Sequence, residues 1–132
     1  MSDAYVEAYG KNLDEAFDNA ARALIDTMVP IRDVRRKFTE PIEVEGHDLQ
    51  SLLYNWLEAV LIKVTSEAKV YSSFDVKVRK TDEGYALVAS AKGEELDVRR
   101  HKPKVEVKAI TYHLMEIRRE DDQVILRFLL DL

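Results

Sequence analysis

Cysteine is absent from this chain of 132 residues, and glycine and proline are scarce, at four and three. Without thiols there is no disulfide framework, no thiolate zinc site and no cysteine nucleophile. So few glycines leave no Walker loop and no dinucleotide-binding fingerprint, and no serine, histidine and acid form a recognisable nucleophile elbow, which disfavours a nucleophilic enzyme. No apolar run reaches the roughly 18 residues of a membrane-crossing helix, and the first residues lack the basic-then-apolar layout of a secretory leader. A cytoplasmic protein without a membrane partner is therefore expected. Positive charge is also in deficit, with 20 Lys and Arg against 25 Asp and Glu and a formal net charge of −5. Nucleic-acid binding is dominated by phosphate neutralisation, so this balance disfavours nonspecific attraction to nucleic acid, and any RNA-related role would make its RNA contact indirectly, through another protein.

What is present is 46% apolar and 34% charged residues. That composition fits one globular domain over 1–132, long enough to bury a sizeable core. Tyr5, Val6, Ala8 and Tyr9 read as a first strand ended by Gly10. Asn12 is placed to cap a helix from Leu13 to Met28, whose Leu13, Ala16, Phe17, Ala20, Ala21, Leu24, Ile25 and Met28 recur at helical spacing and stop before Pro30. Residues 31–45 read as one extended strand or two pieces broken near Pro41, and the proline argues against a central position in a sheet. Asp48 then caps the most strongly periodic stretch, Leu49 to about Ser66, with Leu53, Trp56, Leu57 and Leu61 on one face. Phe74–Lys80 and Tyr85–Lys92 form a hairpin about Asp82-Glu83-Gly84, and Val105–Arg119 with Val124–Leu130 form a second about Glu120-Asp121-Asp122. Leu96–Lys104 reads as a polar loop, and no internal repeat is evident. The fold class is α+β, with two helices packed on a mostly antiparallel, mixed sheet in a two-layer domain.

Three features could carry chemistry. Asp3 and Asp131 lie near opposite ends of the chain on strand-like segments; if the first and last strands are neighbours, their carboxylates suit a hard cation such as calcium or magnesium, and otherwise each is a solvated strand-end acid. Lys108 sits inside Val105-Glu106-Val107-Lys108-Ala109-Ile110-Thr111, where an ammonium either meets an anion or faces water on an edge strand. Arg99, Arg100, Lys102 and Lys104 surround His101 and form a basic cluster that can contact a partner or a nucleotide, or remain a solvated loop. His101 has no second histidine at ligand spacing, and His47, in a turn, and His113, on a strand, are weaker candidates still.

Gly93-Glu94-Glu95, His101 and Val107-Lys108-Ala109-Ile110-Thr111-Tyr112 resemble the signature of the archease family, small proteins that activate the tRNA-splicing RNA ligase. Asp3–Gly10 with Leu13–Ala21, Gly46-His47-Asp48-Leu49-Gln50-Ser51-Leu52-Leu53 with Trp56-Leu57, and the terminal Asp131-Leu132 are similar to further family segments in the same order. The resemblance implies an accessory protein and not a catalyst, which binds the ligase and promotes its guanylylation by GTP. It also implies a divalent metal held with the help of Asp3 and Asp131, and a functional Lys108. The family's opening reads His-Thr-Ala-Asp, whereas Met1 and Ser2 precede Asp3 here. Competing readings are a stand-alone metal-dependent hydrolase or nucleotide-binding enzyme, and a chaperone-like adaptor that uses no metal.

Overall fold

Asn12 and Asp48 set the two long helices in the same way. Each is extended, and its side-chain oxygen accepts the amide of the residue three positions on, Glu15 and Ser51 respectively. This satisfies a donor that a helix start leaves unpaired. In the computed structural model, which describes residues 2–132, the helices are α1 (Leu13–Met28) and α2 (Leu49–Glu67). The strands are β1 (Asp3–Gly10), β2 (Phe38–Gly46), β3 (Lys69–Thr81), β4 (Gly84–Glu95), β5 (Ala109–Glu120) and β6 (Gln123–Asp131). A 3-10 turn, Ile31–Asp33, precedes β2, and a four-residue helix α3 (Val98–His101) follows β4.

The α+β class and the antiparallel pairing are as expected, but the strands divide between two sheets, with orders β1-β6-β5 and β2-β4-β3. Every strand pair is antiparallel, so the sheet is not mixed. Each hairpin recruits as its third strand the one that leads into a helix. One outer strand of each sheet also meets a helix along its edge. On β3, the Val78 amide donates to the Asp14 carboxylate of α1 at 2.7 Å. On β5, pairing is interrupted between Thr111 and Glu116, and Tyr112 within that interruption stacks on Tyr54 of α2 with ring centroids 4.4 Å apart. These contacts cover part of the β3 and β5 edges, while β1 and β2 are the other outer strands of the two sheets. Pro41 lies on β2, an edge strand, as its missing amide requires.

The structure also contains a repeat that the sequence reading missed. Gly10, Asn12, Leu13 and Asn19 correspond in position to Gly46, Asp48, Leu49 and Asn55. Asn19 donates to the Tyr9 carbonyl as Asn55 donates to that of Glu45. A Cβ at Gly10 would strike the backbone of Ala16, and one at Gly46 the backbone of Leu52. Seven buried positions of α1, from Ala16 to Met28, have buried equivalents on α2 from Leu52 to Val64. The unit β2-α2-β3-β4 is thus inserted between α1 and β5 of an interrupted unit β1-α1-β5-β6.

The helices join the halves. Trp56 of α2 is fully buried, its Nε1 donates to the Phe17 carbonyl of α1 at 2.9 Å, and its ring meets Phe74 of β3 edge to face. Trp56→Ala is expected to destabilise the chain by about 3 to 5 kcal/mol. Denaturant unfolding followed by circular dichroism measures this.

Candidate functional site

The register of β1 on β6 places Asp3 directly opposite Asp131, and that of β5 on β6 places Ala109 beside Asp131 on its other flank. Directly paired residues share a sheet face, so both carboxylates lie on the same side. It is the solvent side, because Asp3, Tyr5, Glu7 and Tyr9 are exposed while the alternating residues of β1 turn inward. The next row is Tyr5, Leu129 and Thr111, and the Tyr5 hydroxyl donates to the Leu114 carbonyl at 3.0 Å. The row after that is ionic, with Arg127 between Glu7 and Glu116.

Lys108 is exposed and lies one residue before β5, not inside a strand beginning at Val105. The strand starts late because β6 offers Ala109 its last partner, Asp131. The preceding residues are drawn elsewhere: the Lys104 amide donates to the Met28 carbonyl at the end of α1, and Val107 is buried. The Lys108 amide donates to the Asp131 carbonyl at 2.7 Å. Backbone contact therefore joins Lys108 to the acid pair, while its side chain makes no ion pair with either acid among the described residues.

Two carboxylates held opposite each other repel unless something offsets the charge. Among the described residues no group of three or more His, Asp or Glu is arranged for a metal. The pair alone offers donors of the type a hard cation takes, carboxylate oxygens that carbonyl and water oxygens would have to supplement, and it lacks the nitrogen or sulfur ligands common in zinc sites.

The basic cluster behaves differently from the expected loop. Asp97 accepts the amides of Arg99 and Arg100 and nucleates α3. His101, at the end of that helix, is 0% exposed. Its Nδ1 accepts the Asp97 amide at 2.8 Å, which leaves Nε2–H to donate to Glu94 at 2.9 Å. Burial removes His101 from any contact surface. Its neighbour Arg100 is half-buried, pairs with Glu94 and donates to the Asp33 carbonyl at 2.8 Å, whereas Arg99 is exposed.

Glu94 is the residue missed by sequence reasoning. It is 2% exposed and also accepts the Arg35 amide at 2.7 Å. Burial alone would raise its pKa, but the donors from Arg100, the Arg35 amide and His101 prevail and lower it to about 2. The only signal in the sequence was its position in Gly93-Glu94-Glu95, where nothing local indicates that a charged residue turns inward.

The sequence matches the archease protein family over residues 1–132. The chain belongs to that family. Protein archease of Pyrococcus abyssi is 48% identical over 121 residues, covering 92% of this chain and 85% of that protein. Protein archease of Methanothermobacter thermautotrophicus is 39% identical over 131 residues, covering 99% and 93%. The solution structure of Methanobacterium thermoautotrophicum protein 1598 superposes with a TM-score of 0.85 at 36% identity, covering 100% of this chain and 94% of that one. The crystal structure of an archease from Thermotoga maritima, described as a possible chaperone, has a TM-score of 0.65 at 14% identity over 98% and 90% of the two chains, which supports the shared fold alone.

Within this archease fold, removing Glu94 leaves Arg100 and His101 without their shared acceptor. Glu94→Ala is expected to cost about 3 kcal/mol near neutral pH, as for a broken buried ion pair. Because the folded-state pKa lies below the ordinary value of 4.5, this stabilisation is complete above about pH 4.5 and is lost as the pH falls towards about 2. Denaturant unfolding of both proteins across that range should show their stabilities converging as acid is added.

Proposed function

We propose that this chain is an accessory protein that activates the tRNA-splicing RNA ligase by promoting its guanylylation, so that the ligase turns over repeatedly in tRNA splicing and RNA repair. Family membership supports the reading, and one observation carries it: the direct register of Asp3 on Asp131, with the Lys108 amide bound to the Asp131 carbonyl. Asp3 and Asp131 would hold a divalent cation, calcium or magnesium, which when bound supplies positive charge to neutralise phosphate oxygens. Lys108, without an acid partner among the described residues, would present its ammonium at the same edge to a nucleotide phosphate or to the ligase. Arg99 would contribute to partner contact from α3. The chain supplies positioning and charge, and the ligase supplies the reacting groups and the GTP site.

That two acids alone, with no third His, Asp or Glu grouped beside them among the described residues, face each other favours a second reading, an adaptor that acts through surface contact without metal. The two readings differ in their metal dependence.

Asp131→Asn removes one of two facing like charges, so without metal it should leave stability unchanged or raise it by up to about 1 kcal/mol. It should also abolish any rise of the melting temperature produced by calcium or magnesium. In turnover assays of purified ligase with GTP and RNA halves, activation should fall for this variant. Lys108→Ala should lose activation as well, with a stability change within about 0.5 kcal/mol. The double variant should cost less than the sum of the two single losses, because residues acting as a unit are non-additive. Full activation by both folded single variants would remove the site from this edge.

A further inference from the structure

Charge is segregated in this fold in a way the net value conceals. Residues 31–38 and 94–104 contain eight of the 20 Lys and Arg but only four of the 25 Asp and Glu, a local formal charge of +4 that leaves −9 on the remainder. These segments are 60 or so residues apart in sequence, and Glu94 binds them together. Its carboxylate takes the Arg35 amide from one segment and Arg100 with His101 from the other. The Lys37 amide donates to the Gly93 carbonyl at 2.8 Å, and Arg100 donates to the carbonyl of Asp33. The result is a cleft of about 840 Å³ lined by Arg35, Lys37, Arg99 and Arg100, with Phe38 in its wall.

The bases lining this cleft are not equivalent. Arg100 is consumed by Glu94, and Lys37 lies 3.9 Å from the same carboxylate. Arg35 and Arg99 are exposed and have no carboxylate partner among the described residues. Of the three lining carboxylates, Glu94 is buried in its own network and Asp97 caps α3, which leaves Glu95. Two unpaired guanidinium groups beside a cleft present forked donors that match phosphate oxygens. The cleft's volume lies in the usual range of small-ligand sites, about 300 to 1,000 Å³. A long polyanion would run out over the acidic remainder of the surface within about one Debye length, roughly 8 to 10 Å, whereas a compact one would not.

We propose that this cleft binds the polyphosphate tail of a nucleotide-sized ligand, at a place distinct from the Asp3 and Asp131 pair. The proposal is independent of ligase activation, because it concerns binding by this chain alone; its failure would leave that reading untouched.

Isothermal titration of the chain with ATP, GTP and sodium tripolyphosphate, with EDTA present and at low salt, tests it. EDTA prevents metal bridging at the acid pair. Saturable binding is expected for all three. Equal affinity for tripolyphosphate would show that phosphate alone is recognised, and tighter binding of ATP or GTP would show that the nucleoside adds contacts; both support the cleft. Arg35→Ala and Arg99→Ala should each weaken ATP by about tenfold or more, as expected for a lost charge-assisted hydrogen bond. Lys80→Ala, at an exposed position of β3 outside the cleft, should bind as the unaltered chain does. Both arginines are exposed, and Arg35→Ala keeps the amide that Glu94 accepts, so thermal melts should be unchanged; Arg99→Glu provides a second variant at the surface. The proposal is overturned if none of the three ligands binds at about 1 mM, a very weak affinity. It is equally overturned if the double Arg variant binds ATP undiminished, or if a single-stranded RNA oligomer or polyglutamate binds more tightly than ATP.

Discussion

The contact between α1 and α2 is the constraint on which everything else rests. The two three-stranded sheets share no hydrogen-bonded strand pair, so their relative placement depends on apolar burial between the helices and the strands each helix reaches. Trp56 concentrates that dependence: a single side chain meets the Phe17 carbonyl on α1 and the Phe74 ring on β3 while belonging to α2. Its indole N–H has a partner, so burying it forfeits little of the hydrophobic gain. The acid pair and the basic cleft are both positioned by sheets that meet through this helix pair.

The repeated unit gives the two sites a common origin in the geometry. The acid pair lies where β1 begins and β6 ends; the basic cleft lies where β2 begins and β4 ends. These are equivalent places in the two halves, and they carry opposite charge. In one half, facing carboxylates stand on the open face of a sheet. In the other, a carboxylate has turned inward and is surrounded by arginine, histidine and a backbone amide.

What was legible in the sequence was governed by local chemistry. The helix α1 spans the residues its apolar period and Asn12 cap indicate, and α2 ends one residue beyond the expected Ser66. The hairpin turns fell at their Asp-rich and Gly-containing positions. Partner choice between distant strands was not legible: nothing in β1 indicates that its neighbour is β6, even though Asp3 and Asp131 were paired by conjecture. The α3 helix was invisible because its four residues have no apolar period and depend on Asp97. The burial of His101 and Glu94 was hidden for a related reason, since each is a polar residue whose partners come from elsewhere in the chain. The repeat escaped because its two copies share structural roles, at Gly10 and Gly46 or Asn19 and Asn55, while their core side chains differ, with Ala20 standing where Trp56 stands in the other copy.

The insertion of one unit inside the other dictates an order of assembly. The unit β2-α2-β3-β4 is contiguous, and its widest pairing, Phe38 on Gly93, closes a loop less than half as long as that between Asp3 and Asp131. The outer unit must join β1 to β6, as far apart as Asp3 and Asp131, and such long closures are entropically late. Until then the apolar face of α1 has β1 and the inner unit to rest on. The β3 edge that accepts Asp14 at the Val78 amide is already present at that stage, so the first half of the protein can wait in place for the last strand to be synthesised.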